Sequence, residues 1–210
     1  MSIVVEHEKR RREILGKALD VFVEEGFGNA TFQKIADRCG ITRTTLYTYF
    51  RNKREIFNYS IKQLLQVLEK DINETKNEEG FTHREKIIQV MSVILERLEE
   101  NRRLLVVILN YLVYASRDDY DPDIRVRRRT VRLRHILTSM LIAGIKSGEF
   151  IPSMNVKEAN ELLYSFIESA AFRLVVLRRS TAEELINPIK LAVSSFCMKQ
   201  EYQEYGKYMA

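Results

Sequence analysis

The chain has 210 residues, 45% hydrophobic and 30% charged, a balance that fits a folded protein and excludes a disordered one. Its net charge is +5, and residues 1–54 hold 11 Lys and Arg against 7 Asp and Glu, so almost the whole excess sits in the first quarter. That asymmetry favours a polyanion as the partner of the N-terminal region, because backbone phosphates attract Lys and Arg without regard to sequence.

With only three prolines and eight glycines, long helices joined by short loops are expected. The first runs from about Glu6 to Glu25, with Ile14, Ala18, Val21 and Phe22 at helical spacing, and stops at Gly26 and Gly28. Thr31 caps a short helix over Phe32–Cys39 ended by Gly40, and Thr42 caps another that continues through Tyr49. A longer helix follows over about Lys53–Lys76 with Ile56, Ile61, Leu64, Leu65 and Leu68 inward. After the polar stretch Asn77–Gly80, Thr82 and Glu85 form a capping box for a helix reaching about Asn101.

Arg102–Ser116 reads as a helix apolar almost all round, the kind that others enclose. The acids Asp118, Asp119, Asp121 and Asp123 form a loop before a helix that reaches Ser147, with Val126, Thr130, Leu133, Leu137, Met140 and Leu141 inward. Val156–Leu177 and Ala182–Met198 complete the chain. No strand pattern and no repeat stands out, so the fold class is all-α with about nine helices.

Residues 31–50 carry the chemistry. Ile35 and the small Ala36 let two short helices approach, Gly40 makes the left-handed turn, Ile41 plugs the corner, and Leu46 and Phe50 bury the second helix. Arg43, Thr44, Thr45, Tyr47 and Thr48 are left on outward or N-terminal positions. The helix start offers free N–H groups to phosphate, Arg43 has the fork that pairs with guanine O6 and N7, and threonine methyls can touch thymine methyls. Tyr47, Thr48 and Tyr49 offer hydroxyls to phosphate oxygens, and Lys53 adds a charge at the next helix start.

The pattern Thr31-x-x-x-Ile35-Ala36-x-x-x-Gly40-Ile41-Thr42-x-x-x-Leu46-Tyr47-x-Tyr49-Phe50-x-x-Lys53 closely resembles the DNA-binding signature of the TetR (tetracycline-repressor-like) family. One departure is Tyr49, where many members carry His; the phenol keeps a hydrogen-bonding tip. The resemblance implies a helix-turn-helix DNA-binding domain at 1–54 and an effector-binding and dimerisation domain at 55–210. It also implies a homodimeric repressor that a small-molecule effector releases from a palindromic double-stranded DNA operator. Carried over residue by residue, Arg43, Thr44 and Thr45 meet bases, while Thr31, Thr42, Tyr47, Thr48, Tyr49 and Lys53 fix phosphates. An adaptor of the same fold that recruits a protein partner and has no effector is the alternative.

Beyond residue 55 the expectations are coarser. The helices at 156–177 and 182–198 are apolar on more than one face, and a second face wants a partner. Leu162, Phe166, Ala170, Leu174, Ile189, Val193 and Phe196 are therefore expected in a dimer interface. Met91, Tyr111, Tyr114, Met140, Tyr164 and Phe172 are candidates to line an effector pocket, with plain core packing the reading for each taken singly. The run Arg125–Arg134 reads as a solvated helix face paired with the acids at 118–123, a second nucleic-acid site being the alternative.

His7, His83 and His135 lack metal spacing, Cys39 and Cys197 lie far apart, and no catalytic triad or phosphate loop stands out. Neither a cofactor nor an enzymatic activity is expected. The start of the chain lacks a signal-peptide pattern, and the longest apolar run, Leu104–Ala115, is too short for a bilayer. A cytoplasmic protein without membrane association is expected.

Overall fold

The computed structural model describes residues 2–115, 123–177 and 180–198, with side chains described at 5–113, 131–177 and 180–198. Nine α-helices occupy these residues: α1 Ser2–Asn29, α2 Phe32–Cys39, α3 Arg43–Tyr47, α4 Lys53–Asn77, α5 His83–Glu100, α6 Arg102–Ala115, α7 Asp123–Lys146, α8 Val156–Phe172 and α9 Ala182–Phe196. A π-helical turn, Arg173–Leu177, extends α8. Among the described residues the only β pairing is a single bridge between Phe150 and Cys197. The fold is all-α, as the periodicity predicts.

The chain forms two compact units, Met1–Val67 with Asn101–Ile124, and Leu68–Glu100 with Arg125–Ala210. Within the first, α1 packs on both α2 and α6. Its core holds Ile14, Ala18, Val21, Phe22, Ile35, Ala36, Leu46, Phe50, Ile56 and Phe57, with Val107 from α6. The helix α6 is less enclosed than its composition suggests: Leu104, Leu105 and Val107 are buried, whereas Val113 faces solvent.

Local signals explain most boundaries. Gly26 takes φ 76° and ψ 158° and kinks α1 where the sequence places its end. The side chain of Thr82 accepts the N–H of Glu85 at 3.2 Å while Glu85 accepts the N–H of Thr82 at 2.9 Å, closing the expected capping box.

In the second unit α5 packs on α8 and α9. Glu149 reaches back to accept the N–H groups of His83 and Arg84 at 2.7 and 2.8 Å, capping α5 from a segment 65 and 66 residues away. Glu99 likewise accepts the N–H of Ala182 at 2.7 Å at the start of α9. Such long-range caps satisfy the free amides of a helix start as local ones do, but carry no local sequence signal.

Of the arginine run, the side chains of Arg125–Arg129 lie outside the described residues, as do those of Asp123, Val126 and Thr130, and so do Ser116, Asp118, Asp119 and Asp121 altogether. The partners of the remaining two arginines are not those acids. Arg132 is paired with Glu69 at 2.8 Å, and Arg134 with Glu161.

Candidate nucleic-acid interface

The turn between α2 and α3 is built by three residues. Thr31 Oγ1 accepts the N–H of Lys34 at 3.2 Å, opening α2. Gly40 closes it at φ 66° and ψ 33°, its N–H directed to the carbonyls of Ala36 and Asp37. Thr42 Oγ1 then accepts the N–H of Thr45 at 3.0 Å, opening α3. Ile35, Ala36, Leu46 and Phe50 are fully buried beneath this corner, so α3 is fixed by its inner side and free on its outer one.

Two ion pairs hold the corner to α1. Arg38 donates to Glu24 at 2.9 Å through Nη1, and Lys34 donates to Glu25 at 2.6 Å. The hydrogen bond from Arg38 holds the Glu24 carboxyl below its ordinary range. One turn earlier on the same face of α1, Arg103 of α6 pairs with Asp20 at 2.5 Å.

The exposed face of α3 gathers the expected base-reading residues. Arg43, Thr44, Thr45, Tyr47 and Thr48 are all solvent-facing, as are Thr31 and Thr42. Arg43 Nη2 donates to Tyr47 Oη at 3.0 Å, so the guanidinium lies along the helix beside the phenol. The Tyr47 ring is propped against Phe32, with centroids 4.8 Å apart. The Thr48 hydroxyl donates to the carbonyl of Thr45 at 2.7 Å, which leaves its lone pairs, not its proton, toward solvent. Tyr49 is half-buried, and its ring stacks on His7 at 4.8 Å.

Lys53 stands apart from this face. Its Nζ donates to the carbonyls of Phe27, Gly28 and Ala30 at 2.8, 2.8 and 2.7 Å and lies 4.9 Å from the centre of the Phe27 ring. An ammonium has three protons, and here all three are committed to the carbonyls that α1 leaves free at its exit. Burial pushes its pKa below the usual lysine value. The sequence places this charge at a phosphate; in the folded chain it ties the first residue of α4 to the end of α1.

The comparisons with known proteins agree with this geometry. A family model described as "Bacterial regulatory proteins, tetR family" matches residues 14–59, and one described as "Tetracyclin repressor-like, C-terminal domain" matches residues 86–183. The helix-turn-helix-type transcriptional regulator YfiR of Bacillus subtilis (strain 168) is 30% identical over 163 residues, covering 72% of this chain and 73% of its own. The chain belongs to the TetR family of bacterial regulatory proteins. TetR-family regulators are non-enzymatic DNA-binding proteins, and the chain is accordingly a transcriptional regulator.

Two further TetR-family relatives span nearly the whole chain. The "Fatty acid metabolism regulator protein" of Bacillus subtilis (strain 168) is 25% identical over 201 residues, covering 84% of this chain and 94% of its own. The solved structure of the transcriptional regulator FadR from Bacillus subtilis in complex with stearoyl-CoA superposes with a TM-score of 0.69 at 23% identity, covering 89% of this chain and 99% of that one. It shares the fold.

The residues expected to line an effector pocket are distributed over both units. Met91 and Met140 are buried in the second unit, and Tyr164 lies there beneath the Arg134 guanidinium at 3.7 Å. Tyr111 instead belongs to the first unit, where its ring meets Phe27 at 4.8 Å and Phe57 at 4.7 Å. Phe172 is on the surface, 54% exposed, and the side chain of Tyr114 lies outside the described residues.

Five of the seven residues expected at the dimer interface, Ala170, Leu174, Ile189, Val193 and Phe196, are buried within the chain. They form the inner stripe that α8, its π-helical turn and α9 turn toward their own unit. Leu162 and Phe166 remain on the outer side, and there Phe172 and Val176 join them, with Leu191 of α9 76% exposed. No helix among the described residues is long and apolar enough to cross a membrane, and no group of three or more potential ligands is placed to hold a metal ion.

Proposed function

We propose that the chain is a homodimeric repressor that grips a palindromic operator with two copies of α3 and releases it on binding an apolar effector. The observation that carries the reading is the solvent-facing set Arg43, Thr44, Thr45, Tyr47 and Thr48 on a short helix buried on its other side. In this reading residues 1–54 bind DNA, and residues 55–210 bind effector and dimerise. Arg43, Thr44 and Thr45 meet base edges, and Thr31, Thr42, Tyr47 and Tyr49 fix phosphates, Thr48 joining them once its hydroxyl turns its proton away from the Thr45 carbonyl. Lys53 positions the corner rather than touching DNA.

A second copy is needed for two reasons. One short recognition helix contacts only a few base pairs, whereas two helices about 34–36 Å apart read both halves of an inverted repeat. The outer apolar stripe of Leu162, Phe166, Phe172, Val176 and Leu191 supplies a self-complementary face that a two-fold axis would cover. An effector that prefers a dimer with the wrong helix spacing lowers operator affinity by its differential affinity for that state, and by nothing else.

The effector class is proposed from kinship: one relative is named for fatty acid metabolism and another was solved with stearoyl-CoA. A long acyl chain carried by an anionic head is therefore the first candidate. Selection of random duplexes by the full-length protein should return inverted repeats. Stearoyl-CoA, but not free CoA, should then release the selected duplex. Single unrepeated half-sites would overturn the dimer, and an unchanged affinity in stearoyl-CoA would overturn the acyl effector.

A further inference from the structure

The histidine of α1 lies where the proposed reading puts DNA. His7 is exposed, and its ring stacks on Tyr49 with centroids 4.8 Å apart and planes 26° apart. Among the described residues it makes no hydrogen bond and no ion pair, so neither ring nitrogen is committed to a protein partner. Tyr49 lies two residues past the end of α3 and is itself proposed as a phosphate contact. The stack thus places an imidazole edge alongside the phenol at the exit of the recognition helix, and holds it in one orientation.

The neighbouring charges are otherwise engaged. On its own helix, Glu8 accepts from Arg11 at 3.5 Å and from the Tyr59 hydroxyl at 3.2 Å, and Arg10 donates to Glu13 at 2.7 Å. Arg11 lies over the Phe50 and Tyr59 rings at 4.9 and 4.3 Å. Glu6 is exposed one residue away, Arg10 one turn on lies within reach of Tyr49, and from the segment after α3 it is the Tyr49 ring that meets His7, with Arg51 exposed two residues further on. Hence the strongest anion that a protonated His7 could meet is one brought from outside, and a duplex bound on α3 brings phosphates.

We propose that His7 is a phosphate-contacting residue that takes up a proton when the protein binds DNA, so that operator affinity rises as pH falls through the imidazole range. The inference rests on the reading that α3 faces DNA. The sign follows from linkage: a phosphate favours the imidazolium, so the complex holds protons more tightly than the free protein. The chain has three histidines, and the other two, His83 and His135, belong to the second unit. His7 is therefore the sole imidazole of the unit that carries the helix-turn-helix.

The test uses full-length protein and two duplexes, the selected operator and a scrambled sequence of equal length, at fixed ionic strength. Fluorescence anisotropy should show wild-type affinity for both duplexes rising by about ten- to a hundredfold from pH 8 to below about pH 6, because each protomer of the dimer brings one His7 to the duplex. His7→Gln should bind like wild type at the upper pH and lose the rise. His7→Lys should bind tightly at both ends and also show little slope. A rise of equal size in His7→Gln, or weak binding by His7→Lys at the upper pH, would overturn the proposal. If Arg43→Ala binds the operator as well as wild type at every pH, the α3 reading itself fails, and that outcome does not depend on His7.

Discussion

Replacing Lys53 with methionine separates two roles that the sequence alone cannot tell apart. Methionine keeps most of the apolar stem but removes three donors, leaving the carbonyls of Phe27, Gly28 and Ala30 without their shared cation. A hydrogen bond to a charged group contributes about 1.5–3 kcal/mol when fully desolvated. Lys53 is only part-buried and water can reach these carbonyls, so the three together are discounted to about 1–2 kcal/mol.

For a chain of this size each kcal/mol moves the midpoint by about 2–4 °C, so Lys53→Met should melt about 2–8 °C lower at fixed protein concentration. A phosphate contact behaves differently. Each one contributes about 0.9 to the slope of log affinity against log salt, so a dimer that lost one per protomer would lose nearly two. Calorimetry and a salt titration of operator binding therefore give opposite signatures. A slope lower by about two with an unchanged midpoint would refute the clamp and restore Lys53 to the DNA face.

Four other outcomes follow from the same geometry. Arg43→Ala should weaken operator binding by about 1–3 kcal/mol and relax the preference at one base pair, measured across single-base operator variants; a uniform loss would make it a phosphate contact. Gly144→Ala sets a helix-propensity gain of about 1 kcal/mol against overlap of the new Cβ with Cδ2 and Cε2 of the fully buried Phe150 ring. Overpacking of this kind costs about 1–3 kcal/mol, so Tm should fall and partly recover in Gly144→Ala with Phe150→Leu; a higher Tm for the single variant would show the ring free to move. Leu191→Glu should leave the monomer's unfolding within about 0.5 kcal/mol of wild type yet weaken dimerisation at least about tenfold by sedimentation, whereas Ile189→Glu should disrupt folding. The Glu85 carboxyl is held below its ordinary range, first by the Thr82 N–H and then by the Thr82 hydroxyl. Its stabilisation is present above the unfolded carboxylate value and lost as pH falls through the lower folded one, so Glu85→Gln should flatten the acid limb of the unfolding curve.

The DNA-binding corner was the most legible part of the sequence because its rules are local. Thr31, Gly40 and Thr42 each act within five residues of their own position, and the structure begins and ends α2 at Phe32 and Cys39 as those caps require. The capping box of Thr82 and Glu85 was legible for the same reason. What escaped was long-range. Glu149 at the start of α5 and Glu99 at the start of α9 are carboxylates on a surface until the fold brings them to an amide. Lys53 was visible as a charge at a helix start, but the carbonyls it meets lie 23 to 26 residues earlier, and spacing cannot show them. Tyr111 is by composition either a pocket residue or plain core, and only the fold shows its ring among the aromatic group around Phe27 and Phe57.

The helices α8 and α9 show why the count of apolar residues cannot by itself locate an interface. A helix with one apolar stripe announces its inner side; a helix with two does not say which is inner. Ala170, Leu174, Ile189 and Val193 line the inward side of α8, its π-helical turn and α9, and Asn160 on the same side donates to the carbonyl of Arg134 at 2.8 Å. That polar contact favours the inward rotation of α8, because turning the helix outward would cost the Asn160 amide its bonds to the Arg134 carbonyl and the Thr138 hydroxyl. With the inner side so determined, Leu162, Phe172, Val176 and Leu191 stand exposed among the described residues. Apolar area left in water by one copy is what a second copy can remove. In the proposed dimer the interface residues are those that the described packing of one copy leaves exposed, so Leu191→Glu and Ile189→Glu, two positions apart on one helix, should fail in different assays.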